Sequence, residues 1–132
     1  MKLIAISAAV VGIMFGALWT IGPFYFGTPD GSWASYILPI VWALVVMRTH
    51  FLNLRRFRDK SANPSRWRLL TYNLLLLSLF VLGATMMYQR DARFRQMPTG
   101  MAIFLALGLA SFAICALYLC LPKARQVVPV RQ

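Results

Sequence analysis

Residues Leu3 to Phe26 read LIAISAAVVGIMFGALWTIGPFYF, a run without one charged side chain. A helix needs about 20 consecutive apolar residues to cross the hydrocarbon core of a bilayer, and this run supplies them. An apolar stretch behind a basic start, here Lys2, can also be a secretory leader. Its length exceeds the roughly 7 to 15 apolar residues of a leader, so a retained helix is expected.

Three further runs follow. Trp33 to Met47 (WASYILPIVWALVVM) must continue past Arg48 through Thr49, His50, Phe51 and Leu52 to span, and Arg48 can reach the interface along its aliphatic stem. Leu69 to Tyr88 and Met101 to Leu121 carry no charge. Helices are therefore expected over about 3–26, 33–54, 64–88 and 98–121. Short connections make consecutive helices neighbours. The expected fold is all-α, a four-helix antiparallel transmembrane bundle in one domain over 1–132.

Composition points the same way. Of 132 residues, 60% are hydrophobic and 13% charged, and there is no Glu. A soluble domain of this size carries about a quarter of its residues as charges. Local signals mark the boundaries. Asn63–Pro64 suits an N-cap followed by the first helical position, since Asn accepts a free backbone N–H and Pro lacks one. Pro98–Thr99 opens the last helix similarly, and Pro122–Lys123 ends it. The segment GTPDGS over 27–32 has the Pro, Asp and Gly of a tight reversal. Phe24, Tyr25, Phe26, Trp33, Tyr36, Trp67 and Tyr88 fall at the expected water boundaries, where amphipathic rings anchor a span.

The net charge of +11 would suit a polyanionic partner in a soluble protein. In a membrane protein it sorts by side. Lys2, the seven basic residues from Arg48 to Arg68, and Lys123, Arg125 and Arg131 share one side. Arg90, Arg93 and Arg95, with Asp30 and Asp91, share the other. Basic residues are retained on the cytoplasmic face, so both termini and the central loop are expected in the cytoplasm. The compact size and the orientation signal together suggest a bacterial cell inner membrane.

The central loop, NLRRFRDKSANPSRWR over 53–68, holds six of the fourteen Lys and Arg residues. Arg55, Arg56, Arg58, Lys60, Arg66 and Arg68 are expected to meet anionic lipid headgroups, at about 1 kcal/mol per basic residue near the surface, with Phe57 and Trp67 at the acyl boundary. An acidic protein surface is the alternative partner. Nucleic acid is not expected, because no helix-turn-helix, zinc-finger or RNA-recognition signature accompanies the charge.

The ionisable residues exclude more than they suggest. His50 is the only histidine, so bis-histidine haem ligation within one chain is impossible, and a metal site would need ligands from elsewhere. No metal site and no cofactor is expected, and His50 reads as an interfacial polar residue. Cys115 and Cys120 lie five positions apart, about 140° around a helix, which is neither a redox pair nor a ligand spacing; both read as small packing thiols. No Asp, Glu, His, Lys or Arg is expected within the central runs, although ion-coupled carriers normally keep one there. Small multidrug exporters are similar in size and helix count, but they depend on a glutamate in the first helix. Asn73 is the strongest candidate for an interhelical hydrogen bond. Catalysis is not expected: three acids, one histidine and separated cysteines give no nucleophile, base and acceptor set, and Arg48, His50 and Arg55 form a cluster without a base.

Small residues recur every four positions at Ala8, Gly12 and Gly16, and again at Ala102, Ala106 and Ala110. This spacing lets helix backbones approach closely, either between the first and last helices or toward a partner or second copy. The functional expectation is a non-catalytic accessory protein or subunit of a membrane complex, one form being an immunity-type inhibitor of a membrane toxin. Small polytopic immunity proteins look like this in size and helix count, with no shared residue motif. The alternative is a small, oligomeric transporter or lipid-handling channel for an apolar or amphiphilic substrate.

Overall fold

The computed structural model describes residues 1–26, 33–58, 65–90 and 92–121. They form α1 (Lys2–Phe26), α2 (Trp33–Arg58), α3 (Arg66–Arg90), a single turn α4 (Ala92–Arg95) and α5 (Thr99–Cys120). Four of these helices are long and apolar enough to cross a membrane. The GTPDGS reversal, the Asn63–Pro64 cap and the Pro122–Lys123 stop lie outside the described residues.

Cross-helix contacts set the directions. Gly12 and Gly16 of α1 meet His50 and Met47 of α2 respectively, in reversed order along the two chains. Asn53 pairs with Asn73, and Trp42 stacks near Phe80, so α2 and α3 also run oppositely. Ala5 lies by Cys115 and Phe15 by Gly108, which makes α1 antiparallel to α5. The helices surround one axis in the order α1, α2, α3, α5. The α1–α2 seam is the tightest and the α2–α3 seam the loosest.

Helix α2 runs a turn beyond its expected end at 54, through Arg58. Two causes act together. Phe57 is buried, packing edge-on to Tyr118 at 4.8 Å, so the extra turn carries a core side chain. Arg55, Arg56 and Arg58 place cations at the helix C-terminus, where the macrodipole favours them. Phe57 is thus inside the bundle and not at an acyl boundary, and the four residues 55–58, expected in a loop, are helical.

At its N-terminus α5 has Pro98 in the cap position, with φ −54° and ψ 139°. Its carbonyl accepts from Met101 N–H at 2.9 Å and Ala102 N–H at 3.2 Å. At the other end the Arg66 guanidinium donates to the Leu119 and Leu121 carbonyls. Those carbonyls have no partner within a helix, so the start of α3 caps the end of α5.

The interior divides into two apolar layers. One holds Ala5, Ala8, Ala9, Phe57, Leu69, Cys115 and Leu119. The other holds Phe15, Val46, Leu76, Phe80 and Phe112, with Trp19, Trp42 and Phe104 against them. Phe15 is its hub, with ring centroids 4.8 Å from Phe104, 5.7 Å from Phe80 and 6.1 Å from Trp42.

Candidate functional site

Between those layers lies a polar one. Along α2 the inward positions are Ala43, Val46, His50, Asn53 and Phe57; along α3 they are Leu69, Asn73, Leu76 and Phe80. Along α5 the order is Gly108, Ser111, Phe112, Cys115 and Leu119. Steps of three and four keep the α2 and α3 sets each on one face, and on α5 the adjacent Ser111 and Phe112 widen that face. Antiparallel packing then brings His50, Asn53, Asn73, Ser111 and Cys115 to one level, opposite Gly12 of α1.

All five are buried: His50, Asn53, Asn73 and Cys115 have no exposure, and Ser111 has 2%. The two amides bond reciprocally, each Nδ2 donating to the other's Oδ1 at 3.0 Å. Asn73 Nδ2 also donates to the Leu69 carbonyl at 2.7 Å. This ring of bonds links α2 to α3.

Ser111 and His50 link α2 to α5. The Ser111 hydroxyl donates to the Gly108 carbonyl at 2.7 Å and lies 3.2 Å from His50 Nε2. Neutral imidazole carries its hydrogen on one of its two ring nitrogens, so Nε2 either donates to Ser111 Oγ or accepts from it. The other ring nitrogen, Nδ1, lies 4.0 Å from Cys115 Sγ. The thiol is also 3.8 Å from the Ala5 carbonyl.

Packing holds the imidazole in that pose. The Phe112 ring lies 4.4 Å away at 32°. On another side stands Gly12, where any Cβ would overlap the imidazole. His50 is the reason position 12 carries no side chain.

His50 is thus not interfacial: it is sealed into the core, level with the middle of α1 at Gly12 and near the middle of α5 at Ser111. The expectation that the spans hold no ionisable side chain is corrected with it. Cys115, separated from His50 by 65 positions, becomes its neighbour, and Asn73 finds Asn53 as its partner.

The small-residue stripes part company. Ala8, Gly12 and Gly16 are buried, but the two glycines face α2 and not the last helix; a Cβ at Gly16 would meet Met47 and the Ala43 carbonyl. The residue that admits close contact between α1 and α5 is Gly108, where a Cβ would come within 2.6 Å of the Phe15 ring. Ala102, Ala106 and Ala110 are exposed on the outside of the bundle.

Among the basic residues, Arg55, Arg58 and Arg68 are exposed, Arg56 and Arg66 are half-buried, and Lys60 lies outside the described residues. Trp67, Phe24, Tyr25, Trp33 and Tyr88 are exposed. Among the described residues no three His, Cys, Asp or Glu side chains come together as a metal-binding group.

Sequence reasoning overlooked Asn53, Ser111 and the His50–Cys115 approach. One signal was present: His50 and Asn53 continue the 43–46–50–53–57 spacing. No protein-family model, curated protein or solved structure matches the chain, so its functional reading rests on this geometry.

Proposed function

We propose that the chain is a multi-pass protein of a bacterial inner membrane, with both termini in the cytoplasm, serving as a non-catalytic accessory subunit of a larger membrane complex. The carrying observation is the face formed by Ala102, Ala106 and Ala110, exposed on the exterior of α5. Lipid tails are as apolar as leucine, so helices associate in membranes through close packing, which small residues permit. The corresponding stripe on α1 is already consumed inside the bundle; the one on α5 is available to another helix. An inhibitor that blocks a membrane toxin within the bilayer is one form of this reading.

The interior supports the same view. A carrier or lipid channel needs a path along the axis, and Phe15, Trp42, Phe80 and Phe104 occupy that axis with rings 4.8 to 6.1 Å apart. A hydrolytic role needs a free nucleophile, and the Ser111 proton is held by its own helix. Arg55, Arg58 and Arg68 are exposed and suit anionic headgroups, or the acidic surface of a partner, on the cytoplasmic side.

The test is cysteine crosslinking in native membranes from a Cys120→Ser parent. Ala106→Cys should capture a defined membrane protein, whereas Leu79→Cys, on the exposed side of α3, should not. Absence of capture at 106, or the same products from both positions, would overturn the reading.

A further inference from the structure

Two metal-ligating atoms face each other in the polar layer: Cys115 Sγ and His50 Nδ1, 4.0 Å apart. Ser111 Oγ lies 3.2 Å from Nε2, and in the tautomer with the hydrogen on Nε2 the Nδ1 lone pair faces the sulfur. Histidines that bind metals are held in this manner, the second ring nitrogen being engaged by a protein acceptor that fixes tautomer and ring direction. Gly12 and Phe112 confine the ring from other sides.

We infer that His50 and Cys115 form a two-coordinate site for a soft monovalent cation, copper(I), inside the helix bundle. The separation suits it. Bonds of about 2.3 Å to thiolate and 2.0 Å to imidazole, the lengths zinc makes, span at most ~4.3 Å. Two-coordinate copper(I) makes slightly shorter bonds, so 4.0 Å accepts the ion at a near-linear S–Cu–N angle with little movement.

Charge and ligand count select the ion. Cys115 releases its proton to water, and the thiolate and Nδ1 each give a lone pair to the copper; no electron changes hands. One thiolate and one monovalent cation sum to zero, which an apolar interior accepts far more readily than a net charge. Zinc with the same pair would leave a positive charge and lack two of its four usual ligands. Thiolate is also the ligand type that favours copper(I). The inference stands apart from the subunit reading, since it concerns the interior and not the Ala106 face.

Cys120 is exposed and would bind soft metals by itself, so the experiment uses Cys120→Ser protein purified in mild detergent. Copper(I) is supplied anaerobically in competition with a chromophoric copper(I) chelator. The expected result is one equivalent bound, an X-ray absorption spectrum with one sulfur and one nitrogen neighbour, and a raised melting temperature. Adding Cys115→Ser should abolish binding, and adding Ser111→Ala should weaken it about ten- to a hundredfold, the usual cost of losing the group that orients a ligand. Unchanged binding in the Cys115→Ser variant, or no binding by the folded Cys120→Ser parent, would overturn the inference. Should Cys115→Ser fail to fold, the parent's spectrum decides: two sulfurs, or oxygen in place of nitrogen, overturns it.

Discussion

At the residue scale, the controlling contacts are between a side chain and a space left for it. Gly12 and His50 are such a pair, and the imidazole cannot retreat because Phe112 backs it at 4.4 Å. Gly12→Ala is therefore expected to cost about 1 to 3 kcal/mol, the range for overfilling a packed core. Gly83→Ala, where nothing lies within 4 Å, should stay within about 0.5 kcal/mol of the parent; thermal unfolding in detergent compares the two. The amide pair behaves differently. Replacing Asn73 alone by Leu leaves the Asn53 amide buried without its partner, at a cost of about 1 to 3 kcal/mol. The double variant Asn53→Leu/Asn73→Leu should recover much of that loss. A double-mutant cycle should therefore return a coupling of at least about 1 kcal/mol; strictly additive losses would mean the pair does not form.

At the element scale, two helix contacts carry distinct predictions. The backbone of α5 lies against the Phe15 ring because Gly108 has no Cβ. Gly108→Ala should therefore lower the melting temperature, and Phe15→Leu should restore part of it when combined, which is the signature of steric overlap. The second contact is the Arg66 guanidinium on the Leu119 and Leu121 carbonyls. Arg66→Gln should leave the last turn of α5 without its cap and speed amide hydrogen exchange around Leu121, whose N–H bonds to the Leu117 carbonyl at 3.2 Å. Exchange in the first turns of α1 should not change. Element existence was legible in the sequence, because four long apolar runs separated by turn residues have few other readings. The end of α2 was not: basic residues there read as a loop, and only the burial of Phe57 shows why the helix continues.

At the scale of the whole molecule, packing gives way to topology. If basic residues set the orientation, Gln96 faces the outside and Ser65 the cytoplasm; both are exposed. In a Cys120→Ser parent, Gln96→Cys should react with a membrane-impermeant maleimide in intact spheroplasts, and Ser65→Cys only after permeabilisation. The reverse pattern would reject the orientation. The candidate site belongs to this scale as well. His50, Asn73 and Cys115 sit on three helices, and nothing in their sequence separations requires that they meet. In a soluble helix the polar outer face would reveal which side turns inward. Here the outer face is as apolar as the inner one, as exposed Leu38, Val41 and Leu44 show on α2, so the inward face of each run is nearly silent in the sequence.

The apolar runs by themselves determined the number and approximate length of the four helices long enough to cross a membrane, because a run of that length without charge has few readings other than a helix. They also located the boundaries to within a turn and concentrated the positive charge at one end. Tertiary structure decided which small residues are used internally, that Gly12 serves α2 and Gly108 serves Phe15, and that Ala102, Ala106 and Ala110 remain outside. It also moved His50 from an expected interface into the core. The physical reason is that spanning length depends on composition along one segment, whereas close packing depends on matching a side chain on one helix to a gap on another.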